Sequence, residues 1–208
     1  TIIPSEHFNP VLYTGSGGTQ AITNVGFQPD LSIIKTRSNV DGHFVFDSIR
    51  GVRNAIQTNS TTDTFNRAAL TDFNSNGFTL GNYAGTNTSS YTYVAWNWYA
   101  PTSETNNAGS NGASIASTIK KNVDAGFSIV SYTGNGTAGA TISHGLSFAP
   151  QLILVKILNQ ANNWAVYNQD IGNANGLRLN SSSAAFSAGT SDGTNNYWNS
   201  TSPTSTVF

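Results

Sequence analysis

The feature that most constrains this chain is an internal repeat. Phe8-Asn9-Pro10-Val11-Leu12-Tyr13-Thr14-Gly15-Ser16-Gly17 matches Phe127-Ser128-Ile129-Val130-Ser131-Tyr132-Thr133-Gly134-Asn135-Gly136 at a shift of 119 residues. Phe27-Gln28-Pro29-Asp30-Leu31-Ser32-Ile33-Ile34-Lys35 then matches Phe148-Ala149-Pro150-Gln151-Leu152-Ile153-Leu154-Val155-Lys156 at a shift of 121. The second shift persists through Val45-Phe46-Asp47 and Val166-Tyr167-Asn168, Asn59-Ser60 and Asn180-Ser181, and Phe65 and Phe186. A constant shift over separate blocks means that one supersecondary plan is used twice. The markers of that plan are Tyr13, Gly15, Pro29 and Lys35 in the first copy and Tyr132, Gly134, Pro150 and Lys156 in the second.

The matched blocks read as strands and turns. Apolar and polar residues alternate in short runs, as in half-buried strands. Thr-Gly-x-Gly closes the first run in a turn where Gly is expected to supply positive φ. Each Pro precedes an apolar run and suits a strand's first residue, since it lacks an N–H. Leu152-Ile153-Leu154-Val155 is apolar on both faces, which predicts a central, doubly covered strand. Tyr91–Tyr99 predicts a strand with Val94, Trp96 and Trp98 on one face and Tyr91, Tyr93 and Tyr99 on the other. Short strands with turn-rich joins predict an all-β fold of two tandem β-sandwich (jelly-roll-like) modules. Residues 1–100 form the first module, 101–114 a Ser/Asn/Gly-rich linker, and 115–208 the second. A strand near Ile115–Ile119 and a turn at Asn122–Gly126 lead into the second copy. Phe208 aligns with Phe78, so the counterpart of Tyr91–Tyr99 is expected to be missing from a truncated second module. Its place is then taken either by a segment of a longer protein or by a strand from a neighbouring molecule.

Composition limits the function. There is no Cys, so neither disulfides nor a cysteine-based zinc site stabilises the fold. Only 9% of residues are charged and the net charge is −1, which argues against a nucleic-acid partner and against a basic membrane-surface helix. No apolar run is long enough to insert in a membrane as a helix. Aromatics make up 11%, too many for a disordered chain.

No catalytic constellation emerges. Asp30 aligns with Gln151, Asp47 with Asn168, Asp63 with Ala184 and Asp170 with Ile49, so no carboxylate recurs at matched positions. His7, His43 and His144 stand far apart and fall in no metal-ligand or triad pattern, and His144 reads as a hydrogen-bonded turn residue. No enzyme, cofactor or metal is therefore expected. Lys35 and Lys156 are the matched charges. They read either as strand-end lysines with packed stems or as contacts across a copy or subunit interface. Trp96 and Trp164 lie in regular strands and read as packing residues. Trp198, with Tyr197 and Asn196, lies in a segment inserted relative to the first copy, and a loop tryptophan flanked by Asn is a candidate platform for a sugar ring. Tyr83 is a weaker candidate of the same kind.

The matched blocks also carry a family resemblance. Ile3-Pro4-Ser5-Glu6-His7-Phe8-Asn9 with Val11-Leu12-Tyr13-Thr14-Gly15, and Gly126-Phe127-Ser128-Ile129-Val130 with Tyr132–Gly136, resemble a repeated β-sandwich domain of marine and cyanobacterial phage proteins. These are tail-fibre-like or uncharacterised virion proteins. His144-Gly145-Leu146, Ala149-Pro150, Val155-Lys156, Trp164-Ala165-Val166-Tyr167 and the stretch Trp198–Phe208 resemble the same domain. The chain departs from it at Asn168, where the family form has His, and the family form continues past Phe208 with another strand. The resemblance implies a non-enzymatic virion structural or adhesive protein, located in the virion or outside the cell. Its partners would be other virion proteins or copies of itself in a homo-oligomer, with a host-surface glycan as a further ligand. The alternative function is a carbohydrate-binding module of an extracellular protein.

Overall fold

The computed structural model describes residues 2–187 and 197–208. It is an all-β sandwich of antiparallel sheets. The first copy contributes β1 (Phe8–Thr14), β2 (Gln20–Ile22), β3 (Leu31–Thr36), β4 (Phe44–Asp47), β5 (Asn54–Gln57), β6 (Phe65–Asn66), β7 (Leu70–Asn74), β8 (Gly77–Leu80), the single turn α1 (Ala84–Asn87) and β9 (Thr92–Trp98). A six-stranded sheet runs β1-β9-β3-β4-β5-β6, and a three-stranded sheet, β2-β8-β7, covers one of its faces.

The core between these sheets follows from period-2 alternation. Val11, Ile34, Phe44, Phe46, Ala55, Tyr93 and Ala95 point inward from the larger sheet and meet Ile22, Leu70, Phe78 and Leu80 from the smaller one. Tyr13 stacks on Tyr93 and meets the edge of Phe78. Burial, helped by the neighbouring Tyr93 hydroxyl, holds the Tyr13 phenol well above its ordinary pKa, and its O–H donates to the Thr86 carbonyl at 2.7 Å.

The second copy begins with β10 (Thr102–Asn106), β11 (Ser117–Asn122) and β12 (Phe127–Tyr132), which form a meander. It continues with β13 (Leu152–Val155), β14 (Ala165–Asn168), β15 (Asn175–Arg178) and β16 (Phe186–Ser187), a sheet in that order. Residues 101–114, read from the sequence as a linker, therefore hold a strand. Thr102–Asn106 pairs residue for residue with Lys121–Ser117. Its hydrogen bonds come from the backbone, which polar side chains leave free to pair, and Glu104 meets Lys121 across the ladder.

The repeat holds at the level of cross-strand partners. Leu31 faces Asp47 as Leu152 faces Asn168, Val45 faces Ile56 as Val166 faces Leu177, and Ala55 faces Phe65 as Gly176 faces Phe186. Turn chemistry repeats as well. Asn59 Oδ1 accepts from the His43 N–H, and Asn180 Oδ1 from the Trp164 N–H. Asp47 Oδ1 caps the Ile49 N–H as Asn168 Oδ1 caps the Asp170 N–H. The charge at Asp47 serves a buried pair with Arg50. Ile171 stands at the position matching Arg50, and there the neutral Asn suffices. Phe208 exchanges backbone hydrogen bonds with Ile142 and meets the edge of Tyr132, as Phe78 meets that of Tyr13.

Positive φ in each Thr-Gly-x-Gly turn falls on the second glycine, 79° at Gly17 and 72° at Gly136. Gly15 is needed for closeness instead, because a Cβ there would lie 2.2 Å from the Thr88 carbonyl oxygen. Neither proline is a strand's first residue: Pro29 and Pro150 each stand two residues ahead of β3 and β13, in the loop that leads in. Also, β13 is not a central strand. It ends its sheet, and Leu152 and Leu154 are 57% and 45% exposed. Its matching strand β3 is central because β9 pairs along its other side.

Candidate functional site

The two copies meet on the second face of the six-stranded sheet. Val45 and Ile56 are buried there against Trp164, with Leu31, Ile33 and Leu158 packed around them. The loop after β13 lies along residues 57–64 of the first copy. Trp164 Nε1 donates to the Gln57 carbonyl at 2.8 Å, the Asn162 N–H to Thr61 O at 2.9 Å, and the Thr64 N–H to Leu158 O at 3.1 Å. Both matched lysines donate to the carbonyl of the next residue, Lys35 Nζ to Thr36 O and Lys156 Nζ to Ile157 O. They differ in the second acceptor, which is Asn39 O of its own hairpin for Lys35 and Thr61 O of the first copy for Lys156. Desolvation lowers the Lys156 pKa, and nearby Asp63 opposes that shift.

On the far side of this seam, Asp30 ties the copies together. It is 2% exposed, accepts from Ser48 Oγ and from the Ala100 N–H, and pairs with Lys120 of β11 at 3.1 Å. Asn122 Nδ2 donates to the Tyr99 carbonyl and lies 2.8 Å from His7 Nδ1. Trp98 stacks on Phe127 and meets the ring of Phe8 at a tilt. Between these ties an apolar cleft of about 360 Å³ opens, lined by Phe8, Ile33, His43, Trp96, Trp98 and Leu154 among others. The sequence marked Trp96 as a packing residue. It is half-buried, on a wall of this cleft. The cleft itself could not be read from the sequence, since it exists only where the two sheets meet.

The aromatic residues singled out for sugar binding are separated by the fold. Trp198 sits in a turn pinned by Asn173, whose Nδ2 donates to Ser200 O and Ser202 Oγ. Its Nε1 donates to Asn175 O at 3.2 Å, and its ring meets the buried Tyr167 edge-on at 5.7 Å. Much of Trp198 is thus spent on packing. Tyr197 is 43% exposed, with its ring 5.3 Å from that of Phe186 and 6.4 Å from that of Trp198. The Arg178 guanidinium covers Phe186. Asn196 lies outside the described residues. Tyr83 belongs elsewhere: it packs edge-on against Phe44 at the first core, and its carbonyl accepts from the Thr86 and Asn87 N–H groups.

His144 is a structural turn residue. It is 2% exposed, its Nδ1 accepts from the Leu146 N–H, and its Nε2 lies 3.2 Å from Thr204 O. This arrangement requires the neutral ring with the proton on Nε2. Burial lowers its pKa, against the Thr204 contact that raises it. Among the described residues no group of three or more His, Cys, Asp or Glu is placed to hold a metal ion, and no helix is long and apolar enough to cross a membrane.

A family model described as Domain of unknown function (DUF7483) matches residues 3–208. No curated protein and no solved structure matches the chain.

Proposed function

The chain belongs to this family of unknown function, whose match takes in both repeats, and we propose that it is a non-enzymatic structural or adhesive protein of a phage virion, in a tail fibre or a surface appendage. The observation that carries this reading is the pattern of what is repeated. Cross-strand partners and turn caps recur pair by pair, whereas carboxylates and histidines do not. A chain that duplicates its scaffold and varies its loops suits a part built for extension and attachment. The copies are also tied by direct hydrogen bonds and a buried tryptophan, so the pair can act as one rigid segment. Partners in this reading are other virion proteins or copies of the same chain. Immunogold labelling of particles from the source phage tests it: gold on a tail or surface appendage is the expected result, and particles free of label reject it.

A second reading, binding of a host-surface glycan at the same appendage, is favoured by the exposed Tyr197 ring beside Trp198. An aromatic face set among amide and hydroxyl groups suits the apolar C–H face of a pyranose. On a glycan array the protein should bind a defined set of sugars. Tyr197→Ala should remove that binding, whereas Tyr83→Phe should leave it unchanged.

A further inference from the structure

One pairing is present in both copies but differs in a single side chain. In the first copy β2 pairs with β8, with Ile22 opposite Phe78. In the second, Ile142 and Phe208 exchange backbone hydrogen bonds of 2.9 and 3.0 Å, Ser143 bridges Val207, and the His144 N–H donates to Thr206 O at 3.3 Å. Neither β2 nor β8 contains a titratable residue, and the residue two past Ile22 is Asn24, which is exposed. The residue two past Ile142 is His144, which is 2% exposed. Its Nε2 lies 3.2 Å from Thr204 O, under a segment whose own residues Thr204, Ser205 and Thr206 are exposed. Residues 204–208 therefore form a clasp over 142–146, with an imidazole beneath it.

That position accommodates only a neutral ring. Nδ1 accepts from the Leu146 N–H at 3.1 Å, so a proton on Nδ1 sets donor against donor and costs that bond. The contact of Nε2 with Thr204 O survives protonation, but the new charge is then buried. The charged neighbours supply no counter-ion. Glu104 of β10 and Lys121 of β11 share a hollow of about 180 Å³ with Ser143, Gly145, Leu146 and Thr206, and they pair with each other. Lys120 turns away to Asp30. β12 contributes Tyr132, whose ring meets Phe208 and whose phenol is pushed up by burial. Residues 139–143, 145–148 and 204–208 contain no titratable side chain. Burial accordingly holds the His144 pKa below the ordinary imidazole value. A charged ring gains by reaching water, and the cover that it must displace is the short pairing of 206–208 with 142–144.

We propose that His144 is an acid-operated latch: protonation of its ring detaches residues 204–208 from 142–146 while the rest of the fold stays closed. Linkage fixes the sign. In the open form the ring is in water and takes up its proton at a higher pH than in the closed form. Above the ordinary imidazole value the clasp is shut. Below it, opening becomes easier by up to about tenfold per pH unit until the closed form also binds the proton. Release uncovers the buried Ile142 and separates the Phe208 ring from that of Tyr132, so acid exposes an apolar patch on the second copy and not on the first. The latch is independent of the virion reading, since it rests on the contacts of this clasp.

The test is amide hydrogen exchange by NMR on the 208-residue protein, read as protection factors corrected for the pH dependence of intrinsic exchange. Between about pH 7.5 and about pH 4.5, protection at Ile142, His144, Leu146 and Phe208 should fall about tenfold or more, while β2 and β8 keep theirs. The His144 ring signals should titrate over the same range. In His144→Asn, whose side chain can still accept from the Leu146 N–H, the acid loss should vanish, and in His43→Asn it should persist. Protection retained throughout, an equal loss across β2 and β8, an undiminished loss in His144→Asn or its disappearance in His43→Asn overturns the proposal. Should His144→Asn leave the clasp open at every pH, the parent protein decides alone: a clasp that opens where the His144 ring signals do not move refutes the latch.

Discussion

Gly15 and Gly134 occupy matched positions, yet they face different surroundings. The Thr88 carbonyl closes over Gly15, whereas a Cβ at Gly134 meets no atom within 4 Å, and neither residue has a left-handed φ. Gly15→Ala should therefore cost about 1–3 kcal/mol through overpacking. Gly134→Ala should be neutral or stabilising by up to ~1 kcal/mol through the unfolded chain. Urea denaturation of both variants measures the difference, and equal effects would refute the account. His144 gives a prediction in pH. Burial holds its folded pKa below the ordinary imidazole value of 6.5, so the unfolded chain binds the extra proton first as pH falls. Its contribution to stability is full above 6.5 and is lost as pH drops from there towards the folded pKa. His43, also lowered by burial, adds to the same slope. His144→Asn keeps an acceptor for the Leu146 N–H through an Asx turn, so its stability should fall less steeply with acid. A slope unchanged from that of the parent protein would show that His144 is not the group responsible.

At the scale of elements, equivalent strands owe their different surroundings to their neighbours. β3 and β13 share a pattern, and only the former has β9 beside it. The loop from β13 to β14 has taken on a role its counterpart lacks. It carries Trp164 to the Gln57 carbonyl and against Val45 and Ile56, whereas the matched residue, His43, lines the cleft. Trp164→Ala removes a side chain on a residue only 6% exposed, together with a satisfied N–H bond. It should destabilise the protein by about 3–5 kcal/mol. Hydrogen exchange should localise the loss to residues 54–64 and 157–168, with the first core little changed. A uniform loss across β2, β7 and β8 would contradict the assignment of Trp164 to the seam between copies.

For the whole molecule the question is whether the two copies unfold together. The seam includes a buried cluster, the Asp30–Lys120 pair and backbone bonds from Asn162 and Thr64. The first copy has a large core, and among the described residues of the second β13 ends its sheet. The second copy therefore borrows stability from the first. A single calorimetric transition is expected for the parent protein and two for Trp164→Ala, the lower one belonging to the second copy. Two transitions already present in the parent would mean that the seam couples the copies weakly.

The period of the repeat, the strand positions and the turn residues were legible in the sequence because they depend on local alternation and on Gly, Pro and Asn chemistry. The correspondence of Phe78 with Phe208 was legible for the same reason. Polar composition hid β10, since backbone pairing does not need apolar side chains and 101–114 looked like a linker. The pattern Leu-Ile-Leu-Val likewise reported that β13 is suited to being covered, not that a strand covers it. The grouping of candidate residues was a matter of tertiary structure. Tyr83 went to the first core and Tyr197 and Trp198 to a turn of the second, while Trp96, Trp98 and Leu154 met in a cleft unmarked in the sequence. A sequence records which face each side chain takes along its own strand. Which faces then meet depends on sheet order and on how the two copies pack, and those are set by long-range contacts.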